Sequence, residues 1–264
     1  GELVLGRGAS AEDPGTLFAL ARESARTGMP IRQKTLVLMR EMGAGRELGR
    51  TGRPWPGWAR RDLESILASG PSQLPVWEHL DLAGLLTELI PAWQSVRNLP
   101  QRSALHRHTV DRHQLEAVSL LPRFEASSGE RLERLSPDRR SALLLSTLFH
   151  DIGKRPGTPG HSERGAAMIE GILAPMGYPA GVRRDVALLV RHHLLLPRMI
   201  ACADPADPAT ARAIAEAVGG DGELLACLHL LVQADASACK EEAWDAWKAG
   251  LVDVLVHRAQ AAIA

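Results

Sequence analysis

The stretch LLLSTLFHDIGK, residues 143–154, is apolar on nearly every side and then sets His150 and Asp151 next to each other. A helix that is apolar all round belongs inside a protein rather than on its surface. A carboxylate carried inside costs several kcal/mol unless it is paired or bound to metal. The residues alone allow two readings of the pair. In one, His150 is favoured by the negative end of the helix dipole and Asp151 caps the following turn. In the other, both side chains are metal ligands.

A second acid sharpens the choice. In 224–238, Leu228, Leu231, Val232 and Asp235 recur at helical spacing on one apolar face. An acid on a core face needs a cation, and an Arg or Lys from a neighbouring helix is the commoner one. Two separate helices that each turn a carboxylate inward favour a shared metal ion. Histidines supply further donors: His106, Val110, His113 and Ala117 share one helix face, and His161 opens a helix of its own. His192 and His193 are neighbours that point about 100° apart, so one of them faces any given site. Spread over separate helices, these groups have the distribution that a site in the core of a helical bundle requires.

The rest of the chain reads as helical too. Among 264 residues there are one Tyr and three Phe, and no convincing strand-like alternation. The spacing predicts helices over 12–28, 31–43, 58–68, 77–98, 102–121, 137–152, 162–176, 181–196, 208–218, 222–238 and 241–262. Residues 43–57, rich in Gly, Arg and Pro, read as a loop. Ser136, Pro137 and Asp138 form a helix-start signal with Ser136 as N-cap. In the last helix Trp244, Trp247, Leu251, Val254 and Leu255 form the expected core stripe. The Gly70-Pro71 break divides a small helical segment, 1–72, from a helical bundle, 73–264. The expected fold class is all-α.

Composition excludes several roles. Lys plus Arg and Asp plus Glu each number 31, so the balanced charge argues against a chain-wide grip on nucleic acid or anionic membrane. Hydrophobic residues at 45% suffice for a core, which argues against wholesale disorder. No apolar run approaches the roughly 20 residues of a membrane span. The opening residues lack the pattern of a signal peptide, and Cys202, Cys227 and Cys239 lack metal spacing, so reduced thiols in a cytoplasmic protein are expected.

The order His113, His150-Asp151, Asp235 resembles the HD superfamily of metal-dependent phosphohydrolases, and His161 and His193 resemble the added ligands of its two-metal members. A narrower likeness rests on LIPAW (89–93), PQRSALHRHTVDRH (100–113), LFHDIGK (148–154), HSERGA (161–166), LVRHHLL (189–195), DPADP (204–208) and WDAWKAGL (244–251). These blocks, over about 77–259, resemble the HD domain of bifunctional uridylyltransferase/uridylyl-removing enzymes, which modify the PII signalling protein. Two departures lie at the expected substrate rim: Ala203 stands where the family often has Arg, and KRPGTPGH (154–161) replaces a stretch richer in Gly.

The resemblance implies hydrolysis of a nucleotidyl-tyrosine phosphodiester on PII, with release of UMP, or AMP in some relatives. It implies His113, His150, Asp151 and Asp235 around one ion, and His161 and His193 around a second that Asp151 also reaches. It selects His193 over His192. Mixed imidazole and carboxylate ligands suit Mn, Fe, Co or Zn better than Mg, and the family favours Mn2+. Lys154 is the candidate cation for the leaving group or the phosphate, or else a lysine answering the helix dipole. Arg155, Arg191 and His106 are further candidates for substrate contact. The resemblance also implies an N-terminal nucleotidyltransferase domain and C-terminal ACT domains that are not in this sequence. The competing readings are an HD hydrolase of free nucleotides and a regulatory HD domain without turnover.

Overall fold

In the computed structural model of the chain, the described residues are 1–50, 52–101, 105–124, 135–240 and 244–263. Local chemistry starts several of the helices. Asp13 caps α1 (Pro14–Thr27), accepting from the Gly15 and Thr16 amides at 3.0 and 2.9 Å. Three helices follow, α2 (Gln33–Glu41), α3 (Ala44–Arg50) and α4 (Gly57–Leu67), then the shorter α5 (Leu74–Leu82) and α6 (Leu85–Leu89). The bundle proper comprises α7 (Val110–Phe124), α8 (Pro137–Phe149), α9 (His161–Leu173), α10 (Ala180–His192), α11 (Leu195–Cys202), α12 (Pro208–Ala217), α13 (Gly222–Ser237) and α14 (Ala246–Ile263). Among the described residues there is no strand, only two isolated bridges. The fold is all-α, and among the described residues no helix is long and apolar enough to cross a membrane.

The apolar stretch 143–154 lies at the centre. Every residue from Ser141 to Gly153 is buried, and α8 packs against α10, α13, α7 and α4. One connected cluster of apolar side chains runs from Leu17 to Ala259. The first helices lie against the later ones: the Trp55 amide donates to the Pro175 carbonyl at 3.0 Å.

Several expected boundaries differ. The single helix expected over 77–98 is three pieces, because Gly84 takes a left-handed φ of 77° and Pro91 opens a 3-10 turn. Part of the expected 43–57 loop is α3, where burial of Ala44 and Leu48, one turn apart, outweighs weak helix formers. Residues 195–202 form α11, of which only the first two positions lie within an expected helix, 181–196. Ser136 takes the expected N-cap position of α8, but its hydroxyl makes no capping bond and donates to Glu223 instead, at 3.1 Å. The expected stripe on the last helix is rotated: Trp247 is 70% exposed, and the buried face carries Val252, Leu255, Val256 and Ala259. The expected starts at 102 and 241 lie outside the described residues.

Two devices hold the centre in register. At the start of α8, Arg139 pairs with Asp185 of α10 at 2.5 Å and with Asp221, the N-cap of α13. At its end, Gly153 meets the first turn of α9 so closely that an added Cβ would lie 2.1 Å from the His161 carbonyl and 2.4 Å from the Gly165 amide. Both obstacles are backbone, which has no rotamer to yield. We expect Gly153→Ala to cost about 1–3 kcal/mol, the range for overpacking, read as a lowered denaturation midpoint. A midpoint equal to wild type would mean that this crossing is not tight.

Candidate metal centre

The end of α8 delivers His150 and Asp151 into the interior, where they are 0% and 2% exposed. The His150 Nδ1–H donates to the Thr147 carbonyl at 2.9 Å, which leaves the Nε2 lone pair facing inward. That Nε2 lies 3.4 Å from Asp151 Oδ2 and 3.4 Å from Asp235 Oδ1, with no hydrogen-bond partner. From α7, His113 Nε2 approaches the same Asp235 oxygen at 2.8 Å.

The other oxygen of Asp151 serves a second group. Its Oδ1 is 3.3 Å from His161 Nε2 at the start of α9, and 3.8 Å from His193 Nε2 just past α10. The two imidazole Nε2 atoms are 3.2 Å apart. His193, like His150, donates Nδ1–H to the carbonyl three residues earlier, here Val190 at 2.7 Å. His106, His113, His150, His193 and His161 form a row with neighbouring ring centres 5.1 to 5.4 Å apart.

These separations suit metal ligands. Two donors bound about 2.1 Å from one ion at tetrahedral angles lie about 3.4 Å apart. The His150 Nε2 lies 3.4 Å from each carboxylate oxygen, long for a hydrogen bond and close to the separation of two donors around one ion. His113, His150 and Asp151 each offer a donor within 4.8 Å of the others, as do Asp151, His161 and His193.

The titration directions reflect the same crowding. Burial works to lower the His150 pKa, but the Asp151 and Asp235 carboxylates prevail and raise it to about 10. Burial, followed by the charge on His150, lowers His193 to about 4. Burial would raise the Asp151 carboxyl, yet His150, Lys154 and His193 hold it well below the usual carboxylate range. Asp235 is likewise held low against burial, by His150 and His113.

Lys154 stands at the mouth, its Nζ 2.5 Å from Asp151 Oδ2 and 2.5 Å from Gln101 Oε1. It faces an open cleft of about 670 Å³, whose walls include His106, His161, Gln101 and the 155–159 loop. Arg155 turns inward on its own backbone, donating to the carbonyls of Lys154 and Ile152 at 2.8 and 3.4 Å. Arg191 is exposed on a different cleft, beside His192 and Arg198. The structure therefore brings together His113, His150, Asp151, His161, His193, Asp235 and Lys154, sets His106 beside them, and leaves Arg191 apart.

Two neighbours escape sequence reasoning. Gln101 lies in a connection with no periodicity to flag it. Cys239 lies four residues after Asp235, just past the end of α13, where no helical periodicity flags it. Its thiol is pushed up to about 12 by burial and by Asp235.

The HD domain family model matches residues 110–215. The chain is 41% identical over its whole length to the bifunctional uridylyltransferase/uridylyl-removing enzyme of Mycobacterium tuberculosis strain H37Rv, and 40% identical to that of Streptomyces coelicolor. The Corynebacterium glutamicum enzyme is 29% identical over 98% of the chain. The chain spans about a third of the length of these curated relatives, 31%, 30% and 35% respectively.

Ion loading displaces the His150 proton, so we expect affinity for a divalent ion to fall as pH falls, since protons then compete better for Nε2. Manganese at about 100 times its Kd should add about 2.7 kcal/mol of stability, seen in thermal unfolding and absent from Asp151→Asn. A melting curve indifferent to every divalent ion would rule the centre out.

Proposed function

The chain belongs to the HD domain family, among the HD domains of bifunctional uridylyltransferase/uridylyl-removing enzymes, and on that premise we propose that it removes uridylyl groups from PII. The bond broken is the phosphodiester between a PII tyrosine and UMP. The observation that carries the reading is Asp151, whose two oxygens face two separate groups of imidazole nitrogens.

His113, His150, Asp151 and Asp235 would hold one ion, and Asp151, His161 and His193 a second. Manganese is the first choice, with Fe, Co, Zn or Mg as alternatives. Two such ions supply charge stabilisation for an in-line displacement and a nucleophile available near neutral pH.

The chain's own residues do the rest. The Nδ1–H bonds of His150 and His193 to backbone carbonyls fix their rings, so the donor atoms are aimed before anything binds. Asp151, buried, and Asp235, half-buried, are both held ionised and concentrate negative charge where a cation is needed. The cleft of about 670 Å³ beside Lys154 is large enough for a nucleotide. As water oxygen bonds to phosphorus, the tyrosine oxygen–phosphorus bond breaks and the water proton ends on the phenol. A phenol of pKa about 10 leaves more readily than an alkoxide. The Lys154 ammonium lies where it can answer charge on that oxygen or on the phosphate, with Gln101 steadying it. His106 and Arg155 line the same cleft as secondary substrate contacts, whereas Arg191 would reach only a protein-sized substrate.

The remaining two thirds of each relative would hold the nucleotidyltransferase and ACT domains, with 1–72 as the helical segment joining the first to the HD bundle at 73–264. The working compartment would be the cytoplasm, and the partner nucleotidylated PII.

The test is release of UMP from uridylylated PII. We expect His150→Ala with Asp151→Ala to abolish it while far-ultraviolet circular dichroism stays unchanged. Lys154→Ala should retain the metal and lose about 10²-fold in rate, a loss typical of removing one charge-stabilising donor. Hydrolysis of free nucleotides with modified PII left intact would replace this reading with a nucleotide hydrolase.

A further inference from the structure

Beyond the His/Asp centre, a third group of soft-metal donors stands beside it. Cys239 Sγ, a ring nitrogen of His106 and a ring nitrogen of His113 all lie within 4.8 Å of one another. Cys239 follows α13 by one residue beyond its C-cap, its amide bonded to the Ala236 carbonyl at 3.2 Å, so the helical path carries the thiol to the face that holds Asp235. The Lys240 amide donates to the Leu105 carbonyl at 2.9 Å, which pins the segment before α7 against the end of α13. That bond sets His106 opposite Cys239.

The His106 Nδ1 is buried and has no hydrogen-bond partner. A buried imidazole nitrogen without a partner is costly, and it is supplied with a natural partner if a cation lies between it and the thiol. Cys239 is 8% exposed and His113 1%, so the group is shielded on two sides and open on the side of His106, which lines the cleft.

We propose that His106, His113 and Cys239 form a binding site for a soft divalent ion of the zinc class, adjoining the His/Asp centre and sharing His113 with it. Sulfur with two imidazoles is a zinc-type donor set, whereas manganese and magnesium prefer harder surroundings. On binding, the thiol proton passes to solvent and the sulfur–metal bond forms, with no oxidant or reductant involved. Around a tetrahedral ion the donors would close to roughly 3.4–3.8 Å, a contraction that the half-buried His106 side chain supplies. His113 Nε2 is already 2.8 Å from Asp235, so an ion that draws on His113 weakens the hold on the neighbouring centre. The two positions therefore compete through one imidazole, and zinc-class ions oppose manganese rather than merely replacing it.

Cobalt titration of the full chain tests this directly. We expect a near-ultraviolet thiolate-to-cobalt charge-transfer band rising to one ion per chain. The band should vanish in Cys239→Ser and persist in Cys202→Ser, Cys227→Ser and Asp151→Asn. His106→Ala, at a partly exposed position, should weaken cobalt binding at this site by at least about 10–100-fold, the loss seen even for partners outside the first ring of ligands. No such band in the wild-type chain, or a band undiminished by Cys239→Ser, would overturn the proposal. Persistence of the band in Asp151→Asn separates it from the His/Asp centre, so failure of either assignment is visible without the other.

Discussion

Two ionised carboxylates inside a helical bundle set the terms for everything around them. Asp151 is 2% exposed, and Asp235 reaches the same interior from α13. Left alone, each would cost several kcal/mol in desolvation. The bundle answers with imidazoles from the starts and ends of α7, α8, α9 and α10, which must converge for the acids to be tolerated at all. Five rings in a row cannot all be charged. The Asp151 and Asp235 carboxylates raise His150 to about 10, whereas burial, followed by the charge on His150, lowers His193 to about 4.

Convergence of that kind demands rigid placement, and α8 is anchored at both ends. Arg139 ties its start to α10 and α13 through Asp185 and Asp221. Eleven residues later, about 16 Å along a helix, His150 meets the same α13 through Asp235. From Ser141 onward α8 is buried and largely apolar, so its rotation is fixed by packing and its height by charge. Gly153 then permits the backbone of α9 to cross within contact distance, and this brings His161 to the far oxygen of Asp151. Arg164 reinforces the crossing by donating to the Gly153 carbonyl at 3.0 Å.

The parts legible in the sequence are those set by local rules. The all-α class followed from helical periodicity, and Asp235 betrayed itself as an acid on an apolar face. His150 and Asp151 were conspicuous for the same reason. Geometry alone left His192 and His193 undecided, since adjacent residues on a helix differ only in direction; in the structure His193 is buried in the row and His192 half-buried on another cleft. The illegible parts depend on contacts between distant segments. Whether 77–98 bends at Gly84 is set by what the neighbouring helices accept, and the rotation of α14 by which face α12 and α13 cover. Gln101 and Cys239 matter only because other segments fold against them. The hydroxyl of Ser136 obeys a partner 87 positions away rather than its own helix.

A division of labour follows from where these residues sit. The imidazoles and carboxylates lie on or immediately beside helices whose orientation the core dictates, so a shift in any of them disturbs packing. The cleft wall formed by Arg155, Pro156, Gly157, Thr158 and Pro159 is a loop, joined by one isolated bridge between Arg155 and Thr158 and stabilised mainly by Arg164, whose side chain bonds the Thr158 and Pro159 carbonyls. Loops on rigid scaffolds accept change that core helices refuse. The stretch KRPGTPGH (154–161) supplies that wall, and Ala203 lies at the end of α11. A change in this wall would alter the shape of the cleft beside Lys154 and leave the placement of Asp151 and Asp235 as it is. On the proposed reading, substrate preference would be written in a loop and ion binding in the electrostatics of a buried helix end, which makes the two separable.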